Sequence, residues 1–178
     1  STFGGPLAVV LAGAPDEAVA AESRRLPTSR DTVVSARPGD VFESETLRGA
    51  LIVRVGGDEI RMSSDAPEML RLIREGGRVR LEPRRGAGDH DVLLEVPSWM
   101  PVSVRSRELD VSVAGLEAEV RIEVLRGDLR LERIDGPVEV RTVDGEVEVR
   151  GTQGAMSVFT ADGDVRVVRP LGPLADLR

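Results

Sequence analysis

Apolar and polar residues alternate along most of this chain, and from about residue 100 the alternation locks into one phase. Val102/Val104, Val111/Val113, Val120/Ile122, Leu129/Leu131, Val138/Val140, Val147/Val149, Met156/Val158 and Val165/Val167 follow one another at steps of nine residues. Glycine stands two positions before the later pairs, at Gly127, Gly136, Gly145, Gly154, Gly163 and Gly172, the last preceding Leu174. In the same frame the seventh position is small or apolar (Leu116, Leu125, Ile134, Val143, Thr152, Ala161), while the residues flanking each pair are largely charged. A short period-two stretch closed by Asp-Gly predicts a strand followed by a tight turn in which glycine takes positive φ. Asp135-Gly136, Asp144-Gly145 and Asp162-Gly163 are such steps.

A nine-residue period describes either an antiparallel meander of hairpins or a parallel solenoid whose coils stack. The outward charges separate the two. At a spacing of 18, Arg105/Glu123, Arg121/Glu139, Glu123/Arg141, Arg130/Glu148, Glu132/Arg150 and Glu148/Arg166 all pair opposite signs. At a spacing of nine, like pairs recur, among them Arg121/Arg130 and Glu139/Glu148. Opposite charges on neighbouring strands contribute about 0.2–1 kcal/mol and like charges oppose pairing. The pattern therefore favours an all-β, single-stranded parallel β-solenoid with two strand-turn units, 18 residues, per coil. A 27-residue coil also avoids like pairs, and the meander stays open because Asp-Gly suits hairpins as well.

The first hundred residues carry strand signals at 32–36, 51–55, 59–62, 78–82 and 92–96, separated by Pro38-Gly39, Gly56-Gly57, Gly76-Gly77 and Gly86-Ala87-Gly88. One short helix is predicted over Ala66–Glu75, with Pro67 in its first turn, Met69, Leu70 and Ile73 facing the core and Gly76 ending it. The expected organisation is an arm and linker at 1–30, irregular opening coils at 31–100 and regular repeats at 101–174.

The apolar run Pro6–Ala14 has nine residues, against about 20 for a membrane-spanning helix. It precedes Ala18-Val19-Ala20 in the manner of a secretory signal, but Asp16-Glu17 interrupt it and no basic leader precedes it. A signal cleaved upstream of Ser1 is the competing expectation. The arm is expected to dock.

Composition narrows the chemistry. The chain has no Cys, no Lys and one His, which removes disulfides, thiolate and Schiff-base catalysis and Cys/His zinc sites. A net charge of −7 and 2% aromatic residues argue against phosphate-tracking surfaces and base-stacking platforms. Each repeat turn supplies one Gly and at most one Asp, short of the oxygen cage of a calcium-binding nonapeptide. Asp89-His90-Asp91 reads as a solvated loop, and Glu43, Glu45, Asp58 and Glu59 as outward strand positions with no glycosidase role. Trp99-Met100 between Pro97 and Pro101 reads as a packing corner or an exposed contact. Gly56-Gly57 and Gly76-Gly77 are turns, since neither opens a helix as a phosphate loop requires. No enzyme, cofactor or metal is expected.

The order of ARPGDVFESETLRGALIV (36–53), EGGRVRLEP (75–83), DVLLEVPSWMPVSV (91–104) and GDLRLERIDGPVEVRTVDGEVEVRGTQG (127–154) resembles the bacterial putative-adhesin family of β-strand-repeat domains. The resemblance takes in residues 32–172. It implies an exported or envelope-associated β-solenoid and carries over no catalytic residues.

Two functions are consistent with these features. One is an extracytoplasmic structural or adhesin-like protein, a homo-oligomer or fibre subunit. Its arm residues Leu7, Val9 and Leu11, or Ala8, Val10 and Ala12, would add as a strand to a neighbour near Leu174. The other is a monomeric periplasmic binding or envelope-stress sensing module.

Overall fold

Fifteen strands follow one another along the described residues, which are 31–168 and 174–177 of this computed structural model. They are β1 (Thr32–Ser35), β2 (Val41–Glu45), β3 (Gly49–Val55), β4 (Glu59–Ser64), β5 (Leu70–Glu75), β6 (Arg78–Pro83), β7 (His90–Val96) and β8 (Val102–Ala114). The regular half adds β9 (Val120–Arg126), β10 (Leu129–Glu132), β11 (Val138–Asp144), β12 (Val147–Arg150), β13 (Met156–Thr160), β14 (Val165–Val168) and β15 (Leu174–Leu177). The strands divide between two sheets, alternating from β9 onward. One runs β1-β4-β7-β3-β8-β10-β12-β14 and the other β5-β6-β2-β8-β9-β11-β13-β15. The long strand β8 belongs to both: residues 102–108 pair in the second sheet, and 109–114 in the first.

From β8 onward every pairing is parallel, and partners lie 18 residues apart through β14. Val120 faces Val102 and Val138 in the second sheet, and Leu129 faces Val111 and Val147 in the first. This register excludes the meander and the 27-residue coil. The inward pairs stack into ladders, Val104–Ile122–Val140–Val158 in one sheet and Val113–Leu131–Val149 in the other, all at most 1% exposed. Burying each such side chain contributes about 1.5–3 kcal/mol, so these ladders are the main stabilising feature of the repeats. Of the expected charge pairs, Arg105–Glu123 and Arg121–Glu139 close at 3.0 Å and Arg130–Glu148 at 3.3 Å. Arg141 and Arg150 face Glu123 and Glu132 in register, but their side chains hydrogen-bond Glu139 and Glu148 two residues back on their own strands.

The opening half departs from a purely parallel solenoid. β2, β3, β6 and β7 join the parallel stacks, whereas β1 and β4 pair antiparallel with their neighbours, as do β5 and β6. The helix expected over Ala66–Glu75 does not form: Pro67–Met69 is a single 3-10 turn and Leu70–Glu75 is β5. The reason lies in the Gly76-Gly77 turn, which brings β5 onto β6 with Leu72 opposite Leu81 and Arg71 bridged to Glu82 at 3.2 Å. A lone helix of ten residues is marginal in water. The hairpin instead buries Leu70 and satisfies the backbone.

Candidate functional site

The two corners of each coil are built differently, and the difference creates a site. At one corner the chain passes from the first sheet to the second through Gly115, Arg133 and Gly151, all with positive φ, and the seventh-position residues Leu116, Ile134 and Thr152 turn inward and are buried. At the opposite corner two successive residues face outward: Arg107-Glu108, Leu125-Arg126 and Val143-Asp144. The strand parity set by Val120, Ile122 and Val124 forces this, because Leu125 lies an odd step from all three. Leu125 and Val143 are therefore 45% and 46% exposed, not core residues.

The repeat glycines serve this second corner in a way the turn motif did not anticipate. A Cβ on Gly127 would stand 2.0 Å from the Leu109 carbonyl oxygen, and one on Gly163 the same distance from the Gly145 oxygen. Asp128 N–H donates to Asp110 Oδ1 and Glu146 N–H to Asp128 Oδ1, a second ladder running from coil to coil. Gly136 and Gly154 make a similar close approach at the first corner. These Asp-Gly steps are corners between sheets and not two-residue hairpins. Gly172 and the arm positions Leu7, Ala8, Val9, Val10, Leu11 and Ala12 lie outside the described residues. Leu174 opens β15 opposite Met156.

Beside the outward stripe lies a groove of about 650 Å³. Its floor is apolar, with Val124, Leu125, Val143 and Phe159, and its rim carries Arg48, Arg105, Arg107 and Arg141 with Glu45 and Glu123. Most of that positive charge is compensated by carboxylates at or beside the rim. Arg105 is held by Glu123, Arg48 by Asp89 and Glu108, and Arg141 by Glu139. Arg107 has no ion-pair partner among the described residues. Thr46, on the rim, sits at φ 64°, a left-handed conformation rare for a β-branched residue. The Thr142 hydroxyl, buried beneath the groove, has no partner among the described residues.

Other sequence candidates disperse. Glu43 and Glu45 lie on β2 and Glu59 on β4, in different sheets, and Glu43 and Glu59 pair with Arg78 and Arg61. His90 opens β7 and is not a solvated loop residue: its side chain is largely buried and Nδ1 lies 3.4 Å from Asp65. Met100 is buried and Trp99 is 38% exposed. Among the described residues no group of three or more His, Cys, Asp or Glu is placed to hold a metal, and no helix is long and apolar enough to cross a membrane. A smaller recess of about 260 Å³ on the first sheet is lined by Asp110, Asp128, Glu146 and Glu148. There the hydrogen bond from Arg150 leads in holding the Glu148 carboxyl below its ordinary pKa.

Two sheets wound in 18-residue coils, with exposed residues collected along one corner, define an all-β, solenoid-like repeat protein. Residues 87–173, just under half of the chain, match the family model described as Toastrack DUF4097. The match takes in the regular repeats and leaves 32–86 outside it. A solved structure of a putative cell adhesion protein from Clostridium sporogenes shares the fold at a TM-score of 0.51 and 8% identity, over 79% of this chain and 99% of that one. Two structures of putative adhesins give lower scores. That from Parabacteroides distasonis reaches 0.46 at 10% identity, over 80% of this chain and 76% of that one. That from Bacteroides fragilis reaches 0.42 at 6% identity, over 84% and 97%. No curated protein matches the sequence.

Proposed function

We propose that the protein is a non-enzymatic, extracytoplasmic adhesin-like module that assembles with copies of itself through its apolar arm. The observation that carries this reading is the state of β14. Val147 and Val149 on β12 are fully buried, whereas Val165 and Val167, one coil on, are only partly covered. Among the described residues β14 pairs on its β12 side alone. A strand edge with half-covered inward valines recruits a further apolar strand. Leu7, Val9 and Leu11 of a neighbouring copy supply one, with the alternate face Ala8, Val10 and Ala12 outward. The name of the Clostridium sporogenes relative and the absence of Cys accord with a surface or periplasmic location.

The test compares the full chain with one lacking residues 1–14 by sedimentation velocity over a range of concentrations. The full chain should assemble with concentration, while the truncated chain should stay monomeric with an unchanged circular dichroism spectrum. Identical assemblies from both, or a full chain that is monomeric throughout, would overturn the reading. The groove favours a second reading, a binding module, which needs no self-association.

A further inference from the structure

We infer that the groove beside the Leu125 corner binds a fatty-acid anion, its tail on the apolar floor and its carboxylate on Arg107; this rests on the binding reading and is independent of self-assembly. In the second-sheet register Arg107, Leu125 and Val143 occupy equivalent outward positions of successive coils, since Glu108, Arg126 and Asp144 beside them are paired. Adjacent strands are about 4.8 Å apart, so these side chains form a straight stripe along the coil axis with the cation at one end. Phe159 continues the apolar surface beyond Arg141, its neighbour in register. The volume lies within the range of about 300–1,000 Å³ typical of small-molecule sites.

Three features select this occupant. The floor lies on the outside of a sheet whose backbone groups are already committed to inter-strand pairs, through β8, β9, β11 and β13. Ala161 and Asp162 N–H at the open end donate to Thr142 and Val143 carbonyls. An extended peptide lying there would find its own N–H and C=O groups with few partners, at a cost an acyl chain does not incur. The charge left uncompensated on the rim is that of the Arg107 guanidinium, which selects an anionic head over a cationic one. Among those arginines Arg107 alone is without a carboxylate from the described residues, and a guanidinium takes a carboxylate bidentately.

The test uses the full chain and isothermal titration with sodium laurate, sodium butyrate and dodecyltrimethylammonium. Laurate should bind saturably at one per chain, and butyrate and the cation should not. Leu125→Asp and Val143→Asp, both at exposed positions and so compatible with folding, should each weaken laurate by about tenfold or more, which is about 1.4 kcal/mol. Arg107→Ala should weaken it by about threefold to tenfold and bring the anionic and cationic amphiphiles together. Arg130→Ala, an exposed arginine on the other sheet, should leave it unchanged.

Absent laurate binding, equal binding by the Asp variants or equal affinity for the cationic amphiphile would overturn the assignment. So would displacement of laurate by a peptide of residues 5–14, which would give the groove to the arm instead. Should laurate fail while deletion of residues 1–14 abolishes assembly, the adhesin-like reading stands and only the ligand falls.

Discussion

Gly145 rests against the backbone of Gly127 so closely that a Cβ on the later residue would stand 2.0 Å from the earlier residue's carbonyl oxygen. Successive coils meet there backbone to backbone, and Gly145 also holds φ at +151°. Gly145→Ala should therefore cost about 3 kcal/mol of stability, the range of strain at a special backbone position. Gly57→Ala should be near neutral, since nothing lies within 4 Å of its added Cβ. Urea midpoints of the two variants check this, and equal effects would refute the close-contact account.

Arg133 stands at the first corner at φ 52°, where Gly115 and Gly151 occupy the equivalent places one coil away at 82° and 60°. A non-glycine residue in this region carries about 1–3 kcal/mol of strain. Its exposed contact with Glu132, at 3.3 Å, offsets little of that. Arg133→Gly should leave stability unchanged or raise it by about 1 kcal/mol after the greater chain entropy of glycine is counted. A clear drop in the thermal midpoint would mean that the arginine side chain itself holds the corner.

Arg121 and Glu139 close a coil-to-coil pair at 3.0 Å on an exposed face. A double-mutant cycle with both residues changed to Ala should give a coupling of about 0.2–1 kcal/mol, falling as salt is raised. Coupling that salt leaves intact would point to packing of the side-chain stems in place of charge.

Asp40 is almost wholly buried. Burial pushes its carboxyl pKa upward, yet the Arg37 backbone N–H at 2.7 Å and the Arg74 guanidinium at 2.9 Å outweigh it and hold the value below the ordinary 3.8. A carboxylate lowered on folding contributes stability that is full above the unfolded pKa and is lost as pH falls through the folded one. Asp40→Asn should cost about 2 kcal/mol near neutrality. It should also flatten the loss of stability that the parent shows as the pH falls through and below the ordinary carboxylate range. Equal acid sensitivity in both proteins would remove Asp40 from the account.

The helix at Ala66–Glu75 illustrates what a one-dimensional pattern leaves out. Met69, Leu70 and Ile73 have helical spacing, but Leu70 and Leu72 have strand spacing too, and only the arrival of β6 across the Gly76-Gly77 turn decides between them. The groove was legible in part. Leu116 and Leu125 stand at the same odd steps from the inward pairs before them, so parity treats them alike; the positive-φ corners at Gly115 and Arg133 turn Leu116 and Ile134 inside, while β9 and β11 run on straight and leave Leu125 and Val143 outside. Read at nine residues, the seventh positions look equivalent, and the stripe disappears into the core. Phe159 in the groove and the unpaired state of Arg107 have no sequence signature, because they depend on which carboxylates the neighbouring coils bring near.

The alternation of apolar residues was sufficient for the β architecture, and the opposite charges 18 positions apart favoured a parallel regular half of 18-residue coils, with the strand register then excluding the meander and the 27-residue coil. Those features are local or repeat at constant spacing, so neighbouring coils impose the same requirement again and again. The antiparallel opening strands, the two unlike corners and the groove were decided by tertiary structure. Each depends on backbone from distant parts of the chain meeting at one place, as Arg48, Arg107, Leu125 and Val143 do along the groove.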